Sequence, residues 1–145
     1  MKKASSDRAQ SLARQVAGEC IATRCRHLGR IVTALYDSAL RPHGVTVSQF
    51  GLIVAIEQMA PVLASELTRV IDVEKSTLSR NIGLMSERGW LQIEAEGREK
   101  RLSLSRAGKD LLEAVFPAWE HAQAAARERL GNATVETLDK LLKGS

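Results

Sequence analysis

Residues 72–81 read Asp-Val-Glu-Lys-Ser-Thr-Leu-Ser-Arg-Asn. Lys75, Ser76, Thr77, Ser79 and Arg80 crowd hydroxyls and two cations together, with Leu78 the only large apolar side chain among them. Two kinds of chemistry use such a set. A catalytic serine needs a base within hydrogen-bond reach, and neither Ser76 nor Ser79 has a histidine nearby in sequence. A nucleic-acid-reading helix needs short donors that approach a groove floor and a guanidinium that clamps a phosphate or grips guanine with two bonds. A solvated polar helix face would carry the same residues, so the stretch alone leaves the choice open.

Other reactive residues are few. Cys20 and Cys25 stand five apart. On one helix that spacing is ~7.5 Å along the axis and ~140° around it, too far for an unstrained disulfide within the chain. Arg24, one turn after Cys20, would lower that thiol's pKa and expose it to oxidants. Two reduced thiols packed as small apolar groups are the competing expectation. His27 lies two turns from Cys20 and cannot share a metal with it, while His43 sits in a turn and His121 stands alone. No spacing suits zinc, and no glycine-rich phosphate loop or paired carboxylates in an apolar setting suggest an enzyme or a cofactor.

The elements that must position residues 75–80 follow from apolar periodicity. One long helix is expected from the Ser6 region to Leu40, ended by Pro42. Thr46 and Gln49 have capping-box spacing and open a helix over 47–60. A short helix covers 63–71, with Pro61 at its start. The helix carrying the hydroxyls runs over 74–88, and Gly89 stops it at C′. Stepping by 100° per residue puts Leu78, Ile82 and Met85 on its buried side and Ser76, Arg80, Gly83 and Glu87 opposite.

Leu91, Ile93 and Ala95, then Leu102 and Leu104, alternate with polar residues and make a two-stranded hairpin. Its tip presents Arg98, Lys100 and Arg101, suited to a minor groove or a phosphate backbone. Glu96 is expected to hold Arg98 or the base of the hairpin. A charged hairpin turn of no further purpose would look alike. Ser105 caps a fifth helix to about Leu130, interrupted and bent by Pro117. A last helix covers 134–143.

Two short helices joined by a tight turn and followed by a hairpin make a winged helix-turn-helix, mainly α in content. The chain has 145 residues, a net charge of +4 and a sequence pI near 9.4. That balance suits a polyanionic partner without requiring one. The excess lies at the front: residues 1–45 hold eight cations against Asp7, Glu19 and Asp37. No apolar run approaches a membrane span and no signal-peptide core opens the chain, so a cytoplasmic protein is expected.

The stretches Leu-Tyr-Asp-Ser-Ala-Leu-Arg-Pro-His-Gly-Val-Thr-Val-Ser-Gln-Phe from 35, residues 64–91 and Arg-Glu-Lys-Arg-Leu-Ser-Leu-Ser-Arg-Ala-Gly from 98 resemble the MarR family of transcription regulators. The resemblance covers about 30–142. It implies a homodimer that binds a palindromic operator in double-stranded DNA and usually represses. It also implies dimerisation through the first and last helices, and a small-molecule or oxidant site between that interface and the DNA-binding lobe. The divisions that follow are 1–45 for an arm and dimerisation helix, 46–105 for the DNA-binding lobe and 106–145 for C-terminal dimerisation helices.

Tyr36, His43, Phe50 and Trp90 could wall the effector pocket, and Cys20 or Cys25 could serve an oxidant. The family's wing usually reads Asp-Arg-Arg where this chain has Glu96, Gly97 and Arg98. Asp72 stands where glycine is common, Leu63 where Ser or Thr caps, and Trp90 where an aliphatic residue follows Gly89. A winged-helix protein-interaction module without DNA binding remains the alternative.

Overall fold

The computed structural model describes residues 2–71 and 73–143, so the Asp72 turn position lies outside the described residues. The chain divides into two compact units, residues 1–34 and 35–145.

The first unit corrects one expectation. In place of a single helix to Leu40 there are two, α1 (Lys2–Glu19) and α2 (Ile21–Leu40), with Cys20 between them. Backbone hydrogen bonds continue on either side, Cys20 to Val16 at 2.9 Å and Arg24 to Cys20 at 3.2 Å. At the break the Cys20 sulfur takes hydrogen bonds from the Thr23 side chain and the Thr23 and Ala22 backbone, as an N-cap oxygen would. The Gly18 carbonyl is satisfied instead by the Arg24 guanidinium. No residue from 7 to 34 is fully buried.

In the second unit the end of α2 leads into a tight 3-10 turn at Arg41–His43. The capping box at Thr46 is present in both directions. The Gln49 N–H donates to Thr46 Oγ1 (3.2 Å), and the Thr46 N–H donates to Gln49 Oε1 (3.1 Å). It opens α3 (Val47–Met59), and the Asp37 carboxylate accepts from the Val47 N–H at 2.7 Å.

After Pro61 comes a two-residue strand, β1 (Val62–Leu63), which the alternation pattern did not foretell. Then follow α4 (Ala64–Val70), α5 (Lys75–Glu87), β2 (Leu91–Glu96) and β3 (Glu99–Leu104). The hairpin is therefore part of a three-stranded antiparallel sheet in the order β1-β3-β2. Val62 pairs with Leu102, and Leu91 pairs with Leu104. The Leu63 N–H donates to the Glu66 carboxylate at 2.9 Å. Leucine has no oxygen to return the bond, so α4 keeps half of a capping box where Ser or Thr would complete it.

The C-terminal part holds a second correction. α6 (Arg106–Leu130) runs unbroken through Pro117. The proline deprives the Glu113 carbonyl of its N–H, but both residues are exposed, so water can take that oxygen. α7 (Asn132–Lys143) follows Gly131.

The core gathers where these elements converge. Leu52, Ile53, Ile56, Leu67, Leu78, Met85 and Leu102 form one buried cluster. Leu40, Val45, Phe50 and Val115 form a second, with Trp90 packed against both. Burying such side chains contributes about 1.5–3 kcal/mol each. Where α6 begins, a Cβ on Gly108 would lie 2.2 Å from the Trp90 carbonyl oxygen, so only glycine permits that approach. The same carbonyl accepts from the Ser105 N–H at 2.9 Å. Ser105 Oγ donates to the Gly89 carbonyl and accepts from the Gly108 N–H. One serine thus ties the end of α5 to the start of α6.

Candidate nucleic-acid interface

α5 is set by its buried side. Leu78 and Met85 are buried and Ile82 nearly so, matching the periodicity. Its C-terminus closes in a Schellman motif: the Gly89 N–H donates to Ser86 O (2.9 Å), and the Trp90 N–H donates to Met85 O (3.0 Å). Gly89 takes φ 72°, the left-handed conformation this closure requires.

Fixed in this way, the helix shows two polar faces. Ser76 and Arg80 are exposed on the side away from the core, and Thr77 is half-buried on one flank. Lys75 and Ser79, with Gly83 and Ser86, instead face a cleft of about 600 Å³. Its other walls are Ser65 and Thr68 of α4 and Arg98, Glu99 and Lys100 of the wing. Leu78, Ile82 and Ile93 line it too. The structure therefore splits the residues singled out from sequence: Ser76 and Arg80 outward, Lys75, Ser79, Arg98 and Lys100 around the cleft.

Arg101 behaves differently. Its guanidinium pairs with Glu96 and reaches the Pro61 carbonyl (3.4 Å), and the residue is half-buried. The expected pairing of Glu96 with Arg98 is corrected: Glu96 holds Arg101, three residues beyond Arg98, because Glu96 pairs with Glu99 and Arg101 follows two residues later on β3, on the same face of the sheet. This joins the hairpin to the segment before β1 and leaves Arg98 and Lys100 exposed. Gly97, where the family pattern has arginine, occupies the hairpin turn with φ 61°.

Arg88 carries a role that sequence reasoning missed. It is the C-cap of α5. Its guanidinium sits 4.9 Å from the centre of the Trp90 ring and donates to the Gly44 carbonyl. A cation two residues before tryptophan was the available signal. Lys109 of α6 bridges to Glu57 of α3 at 3.3 Å.

The four residues suggested for an effector wall do not meet around that cleft. Phe50 is buried in the second core cluster and Trp90 packs against it. Tyr36 is half-buried, and its hydroxyl donates to Gln123 of α6. Burial pushes the Tyr36 phenol above its usual pKa, and the Arg127 charge partly opposes this. His43 lies half-buried in the 3-10 turn. Both cysteines are free thiols, with Cys25 exposed. The Cys20 thiol is held below its ordinary pKa, but by the hydrogen bonds from Thr23 and not by Arg24, which is committed to Gly18. Among the described residues no cluster could hold a metal ion, and no helix is long and apolar enough to cross a membrane.

Three helices, α3 to α5, with a hairpin at their flank define a winged helix-turn-helix protein. Residues 43–102 match the model of the MarR family. The chain is 30% identical to the Mycobacterium tuberculosis transcriptional regulator MosR, whose structure was solved in complex with DNA; the match covers 87% of this chain and 98% of that one at a TM-score of 0.70. A probable transcriptional regulator from Pseudomonas aeruginosa is 26% identical over 88% of this chain and 97% of that one, at a TM-score of 0.78. An uncharacterized HTH-type transcriptional regulator of Bacillus subtilis, YwoH, is 28% identical over 75 residues, 52% of this chain. The match spans about half the length of that curated relative, 54%. The chain belongs to the MarR family, and the relatives it matches are transcription regulators, not enzymes.

Proposed function

We propose that the protein is a homodimeric repressor that places α5 of each protomer in successive major grooves of a palindromic operator. One observation carries this: α5 is anchored by Leu78, Ile82 and Met85 while Ser76 and Arg80 point away from the core, next to a cleft with cations on both walls. Ser76, Thr77 and Arg80 then face base edges. Lys75, Ser79, Arg98 and Lys100 line the path of a sugar-phosphate strand between helix and wing, and Gly83 leaves it room. Arg101 shapes the wing and contributes charge at short range. MosR, which was crystallised with DNA, lends the reading support at 30% identity.

Residues 46–105 act as the DNA-binding lobe, with 1–45 and 106–145 supplying dimerisation. Leu12 and Val16 of α1 and Leu138 of α7 are exposed apolar side chains suited to that interface. An oxidant acting at Cys20, a free thiol at the break between α1 and α2, is one version of effector control. Peroxide that dissociates wild type but not Cys20→Ser from DNA supports this version, and equal sensitivity removes it.

The test of the function is a gel-shift titration with the DNA adjoining the protein's own gene. Arg80→Ala is expected to weaken specific binding by ~1–3 kcal/mol. Wild-type affinity in that variant removes α5 from the bases. No shift by the wild-type protein favours a protein-interaction module.

A further inference from the structure

The winged lobe is short of the charge its proposed task needs. Residues 46–105 hold seven lysines and arginines against eight aspartates and glutamates, a net −1. Two of the seven are committed elsewhere: Arg88 to Gly44 and the Trp90 ring, Arg101 to Glu96. All of residues 35–145 together hold fourteen cations against fifteen acids, again −1. The protein's positive charge comes entirely from the other compact unit. Residues 1–34 hold seven lysines and arginines against Asp7 and Glu19, a net +5.

Those cations are presented, not neutralised. Arg8, Arg14, Arg24, Arg26 and Arg30 are all exposed, and among the described residues none forms an ion pair. Arg26 and Arg30 stand one helical turn apart on α2, where like charges repel unless an anion lies between them. Arg30 is further directed to His27, a neighbour that brings no negative charge. On α1, Arg14 projects about 160–200° from the stripe of Leu12 and Val16. A surface that buries the stripe therefore leaves this arginine outside. Glu19 is engaged by Gln15 at 3.4 Å.

We infer that the basic helical unit of residues 1–34 is a second, sequence-independent contact for DNA phosphates, supplying the electrostatic affinity that the winged lobe lacks. This rests on the DNA-binding reading above and adds to it a division of labour. The lobe reads bases and carries almost no net attraction. The arm neutralises phosphates, releases their counterions and reads nothing. The affinity of this protein for duplex DNA should then depend on salt more steeply than the few free cations of its lobe would allow.

The experiment uses the full chain and a mixed-sequence duplex of about 30 base pairs, with binding followed by fluorescence anisotropy between 50 and 200 mM NaCl. Wild type is compared with the triple variant Arg8→Gln, Arg14→Gln, Arg26→Gln and with Arg80→Ala. Among the described residues no hydrogen bond uses the side chains of these three arginines; circular dichroism checks that helix content is unchanged. Each lost phosphate contact lowers the slope of log K against log salt by about 0.9, so the triple variant should lose about 2.7 if one arm of a dimer is engaged and about 5.4 if both are.

A wild-type slope in the triple variant overturns the inference. If Arg80→Ala still narrows the preference for the DNA adjoining the protein's own gene over this mixed-sequence duplex, the DNA-binding reading stands and only the arm's role fails. If wild type binds no duplex at all, the reading beneath it fails first. Sedimentation with vesicles of phosphatidylserine provides the remaining arm: vesicle binding lost in the triple variant, with its DNA slope unchanged, assigns the basic surface to an anionic membrane and overturns the proposal.

Discussion

The winged lobe and the N-terminal unit are built by opposite means. In the lobe, α3, α4, α5 and the sheet are fixed by shared burial. Leu67, Met85 and Leu102 are inaccessible, and helix ends are closed by a capping box, a Schellman motif and the Ser105 link. In residues 7–34 nothing is buried, and the break at Cys20 is closed by local bonds from Thr23 and Arg24. Charge runs the other way, −1 in the lobe and +5 in the arm. The difference teaches that shape and attraction need not reside in the same place. A base-reading surface needs a rigid frame with few, well-placed cations, whereas a phosphate-binding surface needs only charge held near a helix.

The largest effects should fall on the frame. Met85→Ala removes a fully buried side chain beneath α5 and is expected to cost about 2–5 kcal/mol in denaturant unfolding. A loss under 1 kcal/mol would mean that α5 is not held as described. Gly108→Ala forces the α6 start away from the Trp90 carbonyl and should cost about 1–3 kcal/mol. Thr46→Ala, which deletes one cap bond, should cost about 1 kcal/mol. Cys20→Ser sits at the bottom of the scale. Oxygen caps a helix at least as well as sulfur, and stability should move by less than about 0.5 kcal/mol. A large loss there would show that the arm is as tightly built as the lobe.

pH sharpens the same contrast. The chain's one tyrosine, Tyr36, can be followed by its ultraviolet titration. Its phenol is raised above its ordinary pKa, first by burial. A raised folded pKa means that the neutral phenol stabilises the fold below the unfolded value, and that this contribution is lost as pH rises through the higher folded value. Stability should therefore fall above about pH 10, with the phenol titrating later than in unfolded chain. In the arm, the lowered Cys20 pKa predicts alkylation by iodoacetamide that begins at lower pH than for a model thiol. Equal profiles would remove the cap bonds from Thr23.

Much of this is legible in the sequence, because the signals are local. The three-and-four spacing of Leu78, Ile82 and Met85 fixed which side of α5 is inward. Thr46 with Gln49, Gly89, and Ser105 each marked a helix end by its own chemistry. What sequence did not show depends on partners distant in the chain. β1 is two residues long and exists only because Val62 meets Leu102. Arg101 reads as a free cation in the sequence, yet it pairs with Glu96 across the hairpin. The break at Cys20 precedes the apolar stripe that starts at Leu28, and the sulfur that takes the Thr23 bonds there is not a usual capping atom. Pro117 stays within its helix at a place where it and Glu113, whose carbonyl loses its N–H partner, are both exposed, which a proline rule applied to sequence alone does not register.

The most direct test of the central claim, that the outward side of α5 reads bases while charge acts elsewhere, is the ratio of affinities for an operator duplex and a scrambled duplex at one salt concentration, in wild type and Arg80→Ala. The account predicts that the substitution shrinks the ratio by about 1–3 kcal/mol while binding to the scrambled duplex changes little. An unchanged ratio, with both duplexes weakened equally, would contradict it.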